Sequence, residues 1–181
     1  MSYELIDSEI IYPGRAFTIR RDQVRLPDGH TTKLDIVEHH GSVVLIPLDD
    51  EGRLLFVRQY RHAAGGEVME LPAGTLEKDE APETCAAREI REETGFAARR
   101  MEPLGGFFLA PGYSTEYMYV YLATGLYKAP LKSDEDEFLQ VEAIPLAEAL
   151  EMSRAGKLLD AKSLAALWLA GLRLGEMESN Q

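Results

Sequence analysis

Residues 74–96 read GTLEKDEAPETCAAREIREETGF, with Gly74 at one end and Gly95-Phe96 at the other. From Pro82 to Thr94 the pattern is helical. Pro82 suits a first turn, where no backbone N–H is needed, and Gly95 supplies the stop. On such a helix Glu89, Glu92 and Glu93 are spaced i, i+3, i+4 and share one face. Ala86, Ala87, Ile90 and Thr94 lie towards a different side, which can pack against a sheet. Stacked carboxylates repel by roughly 0.2–0.5 kcal/mol per pair at a solvated surface, and by more when desolvated. A multivalent cation removes the conflict, and clustered hard oxygen ligands suit magnesium or manganese rather than zinc. The competing reading is a solvated acidic helix with Arg88 and Arg91 as ion-pair partners.

Upstream, the chain reads as strands. The first forty residues are β-rich, with 17–26 and 31–38 flanking Pro27-Asp28-Gly29-His30, and Asp-Gly between alternating runs marks a hairpin. Residues 42–48 and 53–60 flank Asp49-Asp50-Glu51-Gly52, a second hairpin. The near-continuous apolar run over 41–48 predicts a strand covered on both faces. A glycine-punctuated loop at 63–66 leads to Val68–Gly74.

Downstream, strands are expected at 104–109, 117–122 and 138–144, where Tyr117, Tyr119 and Tyr121 alternate with Met118, Val120 and Leu122 as sheet packing. Helices are expected at 145–155 and 161–174. Asp160 is placed as N-cap of the second, with Leu164, Leu167, Trp168 and Leu172 as its buried stripe. The chain then divides into an N-terminal β-extension (1–40), an α/β domain (41–174) and a frayed tail (175–181).

The 181 residues carry 19 Lys+Arg against 31 Asp+Glu, a formal net charge of −12, which argues against non-specific binding of nucleic acid. No apolar run approaches the ~20 residues of a membrane-spanning helix, and the start, Met1-Ser2-Tyr3-Glu4, lacks the basic-then-apolar profile of a secretory signal. A cytoplasmic protein without membrane partners is the expectation. The single cysteine, Cys85, excludes an internal disulfide framework, and next to a carboxylate face it reads as a packing residue rather than a nucleophile. His30, His39, His40 and His62 lack ligand spacing for zinc.

Gly74, Glu80, Arg88, Glu89, Ile90, Glu92, Glu93, Gly95 and Phe96 fill every fixed position of G-x5-E-x7-R-E-U-x-E-E-x-G-U, where U is a bulky apolar residue. Seven fixed identities at fixed spacing arise by chance with a probability on the order of one in a million. The chain thus resembles the Nudix hydrolases. The resemblance implies an α/β/α sandwich with a mixed sheet, and metal-dependent attack of water on a nucleoside diphosphate linked to another group. It implies Mg2+ (or Mn2+), two or more ions per site, held by Glu89 and Glu93 with Glu92 beside them and the backbone carbonyl of Ala73. Arg88 would orient the carboxylates and Glu80 would brace the loop. An acidic chain needs such cations to accept a pyrophosphate.

The resemblance reaches past the box, over roughly residues 15–165. Val57-Arg58-Gln59-Tyr60-Arg61, Glu70-Leu71-Pro72-Ala73-Gly74, Ala110-Pro111-Gly112-Tyr113-Ser114-Thr115-Glu116 and Asp134-Glu135-Asp136-Glu137-Phe138 are similar to bacterial ADP-ribose pyrophosphatases. Pro111 falls sixteen residues after Gly95, the subgroup's proline, although Ala110 departs from the usual preceding serine. The implied reaction is ADP-ribose plus water giving AMP and ribose 5-phosphate. Arg58, Arg61, Glu70 and Pro111 would contact substrate, Glu135 would act as general base and Glu137 as a metal-side ligand. The β-extension would serve a homodimer. The alternatives are a pyrophosphatase for GDP-mannose, FAD or NADH, and a non-catalytic ligand-sensing module of the same fold.

Overall fold

The computed structural model of the chain describes residues 2–132 and 138–178. Its chain forms two compact units, one of residues 1–41 with 107–117 and the other of residues 42–106 with 118–181.

The first unit is built on a three-stranded antiparallel meander of β1 (Glu4–Pro13), β2 (Thr18–Arg25) and β3 (Thr31–Glu38). The expected Asp-Gly turn joins β2 to β3. Gly29 takes a positive φ of 90°, its N–H donates to Leu26 O (3.0 Å), and Leu26 N–H donates to His30 O (2.8 Å). Strand β1, where no separate run stands out in the sequence, is kinked by register shifts at Leu5/Asp7 and Ile10/Tyr12. It is exposed along its whole length, Leu5, Ile10 and Tyr12 included. Residues 107–117 join this unit through the end of β3: Val37 N–H donates to Tyr113 O (2.7 Å), and Thr115 N–H donates to Val37 O (3.0 Å).

The second unit holds a mixed sheet of seven strands. These are β4 (Ser42–Leu48), β5 (Arg53–Arg61), β6 (Gly66–Glu70), β7 (Ala73–Thr75), β8 (Phe96–Phe108, whose last two residues belong to the first unit), β9 (Tyr117–Lys128, whose first residue belongs to the first unit) and β10 (Leu139–Pro145). The order is β10-β5-β4-β9-β8, with β6 added to β5 and β7 to β4. Strand β4 runs parallel to β9 and antiparallel to β7, while it meets β5 only at Leu48↔Leu54, beside the Asp49–Gly52 turn. Past that turn β4 and β5 part, and β7 pairs with the start of β4.

Helices α1 (Pro82–Thr94) and α3 (Ala161–Glu178) both contact β4, and α2 (Leu146–Arg154) lies against β5 and β10. Val43 and Leu45 of β4 join Tyr121 and Ala123 of β9 and Cys85, Ala86 and Ile90 of α1 in one core cluster, with Tyr119 packed against it. Val44 and Ile46, fully buried, point to the opposite face by the alternation of a strand. This two-sided burial is what the apolar run over 41–48 predicts.

Three expectations need correction. Strands β8 and β9 are longer than 104–109 and 117–122, because Ala97-Ala98-Arg99-Arg100 hides the alternation in β8 and Thr124-Gly125 interrupts it in β9. Ala87 is exposed, so α1 buries Cys85, Ala86, Ile90 and Thr94 instead. In α3 the buried positions are Lys162, Ser163, Ala166, Leu167 and Ala170, whereas Trp168 is 67% and Leu172 51% exposed. The small residues let the helix approach the sheet with Leu167 packed among them as expected, while Trp168 and Leu172 face away.

Candidate active site

The Gly74–Phe96 stretch folds as a short strand, a loop and a helix gathered around one guanidinium. Pro82 opens α1, and Gly95, at φ 76°, closes it by donating to Arg91 O (3.1 Å). Asp79, a non-glycine residue with positive φ (62°), turns the loop just before Glu80. Arg88 projects from α1 towards that loop. Its Nε and Nη2 donate to the two oxygens of Glu80 (3.1 and 2.9 Å), and Nη1 donates to Glu89 Oε1 (2.7 Å) and Glu92 Oε2 (2.9 Å). Nη2 also reaches Thr75 O (3.3 Å). One arginine therefore ties three carboxylates and a backbone carbonyl together. These partners, Glu80 first, hold the Arg88 guanidinium above the usual arginine range against the cost of burial. In return the Arg88 hydrogen bond holds the Glu80 carboxyl below its usual range, and Glu77 N–H adds a bond of 2.9 Å.

Glu89 and Glu93 are buried, and Glu93 Oε2 accepts the N–H of Ala73 at 3.0 Å. Gly74 leaves no room for a side chain against the Glu89 carboxylate. Glu80, Glu89, Glu92 and Glu93 bring four negative charges to a site where Arg88 supplies one positive charge. The donors are all oxygen, a set that fits a hard divalent cation. Among the described residues, no three acidic, histidine or cysteine side chains form a ready-made metal group, and Arg88 is bonded to both Glu89 and Glu92. Cys85 is fully buried, and burial followed by the charges of Glu89 and Glu80 pushes its thiol up, so it packs rather than reacts.

A second ionic group lies at the ends of β5 and β6. Arg61 Nε and Nη2 grip the two oxygens of Glu70 at 2.8 and 2.7 Å. Lys162 Nζ contacts the same carboxylate and lies 2.9 Å from Asp160 Oδ2. Asp160 caps α3 as expected, accepting Ser163 N–H at 3.0 Å, and Ser163 Oγ accepts Leu71 N–H at 2.7 Å. Burial would push Glu70 up, but the Arg61 hydrogen bond and the Lys162 charge outweigh it and hold the carboxyl below its usual range.

Neither Lys162 nor Ser163 stands out in the sequence as a site residue. One signal was available: a lysine in the first turn of a helix opposes the macrodipole and calls for a carboxylate partner. Arg58 is elsewhere, with its Nε on Glu142 Oε1 at 2.6 Å. Pro111 belongs to the other unit, in a turn where Tyr113 and Ser114 N–H donate to Ala110 O (3.1 and 2.9 Å). Glu135 and Glu137 lie outside the described residues. The structure thus gathers Ala73, Gly74, Glu80, Arg88, Glu89, Glu92 and Glu93 in one place, and joins Arg61 to Glu70.

Residues 38–167 match the NUDIX domain, and residues 3–33 match the nucleoside diphosphate sugar hydrolase N-terminal domain. The chain belongs to the Nudix hydrolase family. It is 37% identical over 164 residues to an ADP-ribose pyrophosphatase of Bacillus subtilis, covering 90% of this chain and 89% of that one. It is 40% identical over 166 residues to an ADP-ribose pyrophosphatase of Mycobacterium tuberculosis, covering 90% and 80%. It is also 38% identical over 164 residues to a methanol dehydrogenase activator of Bacillus methanolicus, covering 90% and 89%. In fold it is similar to the crystal structure of an ADP compounds hydrolase, with a TM-score of 0.86 at 24% identity over 98% of this chain and 96% of that one.

Proposed function

We propose that this enzyme hydrolyses the pyrophosphate bond of ADP-ribose, giving AMP and ribose 5-phosphate. The observation that carries the reading is Arg88 holding Glu80, Glu89 and Glu92 beside Gly74, with Glu93 on the N–H of Ala73. Identity of 37–40% to the two ADP-ribose pyrophosphatases supports the choice of substrate.

Glu89 and Glu93, with Glu92 beside them and the carbonyl of Ala73, would hold two or more magnesium or manganese ions. Bound there, the ions supply charge neutralisation for the pyrophosphate oxygens and acidify the attacking water. Arg88 sets the Glu89 and Glu92 carboxylates in position, and Glu80 anchors Arg88 from the loop. Arg61 offers donors to phosphate or ribose oxygens, with Arg58 a second contact. By resemblance, Glu135 takes the proton of the attacking water, Glu137 adds a metal-side oxygen and Pro111 lines the substrate loop. The exposed apolar side chains of β1 support a homodimer through the N-terminal extension, and a monomer by light scattering at micromolar concentration would count against it.

The test is phosphate release from ADP-ribose in the presence of magnesium and a phosphatase that attacks only the products, run beside GDP-mannose and FAD. Preference for ADP-ribose, lost with EDTA and in a folded Glu93→Gln variant, is expected. Activity on another substrate alone would overturn the choice of ADP-ribose, and near-normal turnover in Glu93→Gln would sink the metal-site assignment.

A further inference from the structure

Arg61 is the last residue of β5 and Glu70 the last of β6, and their side-on pair uses only one edge of the guanidinium. Among the described residues Nη1 has no hydrogen-bond partner, and the Arg61 side chain is 44% exposed while that of Glu70 is 4% exposed. So deep a carboxylate depends on charge around it. Lys162 supplies the second cation from α3, its own side chain 11% exposed and held by Asp160. The same turn of α3 takes the next backbone group, Leu71 N–H, on Ser163 Oγ. Two residues further on, Ala73 N–H reaches Glu93 of α1. The segment Glu70–Ala73 is thereby fixed at one end by α3 and at the other by the box helix.

We propose that Lys162 is a positioning residue: it holds the Glu70 carboxylate in place so that Glu70 fixes Arg61 with its Nη1 edge available to anionic oxygens of the substrate. The proposal rests on the reading above, in which Arg61 contacts the diphosphate sugar. It assigns Glu70 to orienting Arg61 rather than to touching substrate. Lys162 lies well outside the box and acts only through Glu70. A lysine there for stability alone would affect turnover through loss of folded enzyme, not through Arg61.

Two measurements test this. The first is a double-mutant cycle on ADP-ribose hydrolysis with Lys162→Met, which removes the charge but keeps the length, and Arg61→Ala. Lys162→Met is expected to raise KM about tenfold with kcat within about threefold, and to change KM by less than about twofold in the Arg61→Ala background. An equal rise in both backgrounds overturns the proposal. Should Lys162→Met fail to fold, Asp160→Asn, which keeps a capping side chain and loosens Lys162, carries the same cycle. The second measurement is the proton NMR signal of Arg61 Nε–H, identified by its loss in Arg61→Ala. Slow exchange with water in the wild type and faster exchange in the Lys162 or Asp160 variant is expected, and unchanged exchange overturns the clamp whatever the substrate. A wild type that ignores ADP-ribose while the Nε–H signal responds would sink the substrate reading and leave the clamp supported.

Discussion

A Cβ added to Gly74 would sit 1.9 Å from Cδ and Oε1 of Glu89 and 2.4 Å from Oε2. The carboxylate of a helix residue fills the space in which any other residue of β7 would carry its side chain. Glycine is required here for close approach, since Gly74 is not among the glycines with positive φ.

Gly74→Ala should therefore leave the fold standing and displace the Glu89 carboxylate, which is the mobile end of the contact. Because misplacement of about 1 Å in a catalytic group can cost about a hundredfold, kcat is expected to fall by about that factor, with stability lowered by only about 1–2 kcal/mol. Steady-state kinetics beside a thermal melt checks this. A variant with wild-type kcat would show that Glu89 need not occupy this position.

Much of this arrangement can be read from the chain because each signal there is local. Pro82 and Gly95 bound α1 through backbone chemistry that depends on no distant partner, and the spacing of Glu89, Glu92 and Glu93 follows from helix geometry alone. Asp-Gly at 28–29 and the apolar run of β4 are equally self-contained. The Arg88 hub is different: i, i+4 spacing gives its bond to Glu92, but the bond to Glu80 needs a loop turned by Asp79 at positive φ, which no periodicity reveals. Lys162 escapes for the same reason, because its partner Glu70 lies 92 residues away in sequence. Arg58 has a substrate contact only by resemblance, since its bond to Glu142 accounts for it without a substrate.

The stripe of α3 is misread in sequence because large apolar residues outscore small ones in any pattern count. Leu167 is 1% exposed and Trp168, its neighbour, 67%. Trp168→Gln is expected to change the free energy of unfolding by no more than about 0.5 kcal/mol, whereas Leu167→Ala should cost about 2–5 kcal/mol. Urea titrations of both variants measure the difference. A loss of several kcal/mol in Trp168→Gln would mean that this face of α3 is covered in solution.

The ionic group around Glu70 should give the folded state a specific acid sensitivity. Burial works against the charged form of Glu70, but Arg61 and Lys162 more than offset it, so its folded pKa lies below the ordinary value of 4.5. A carboxyl depressed in this way stabilises the fold fully above its unfolded pKa, and that contribution is lost as pH falls through the lower folded value. Glu70→Gln leaves Arg61 and Lys162 facing a neutral amide and should cost roughly 3–5 kcal/mol at neutral pH, as expected for one member of a buried pair. Below pH 4.5 the wild-type carboxyl progressively becomes neutral too, so the gap between the two proteins should narrow. Urea unfolding of both proteins from pH 7 down to about pH 3 follows this directly. A gap that stays constant across that range would mean that Glu70 has the same pKa in the folded and unfolded states, and that Arg61 and Lys162 do not favour its charged form.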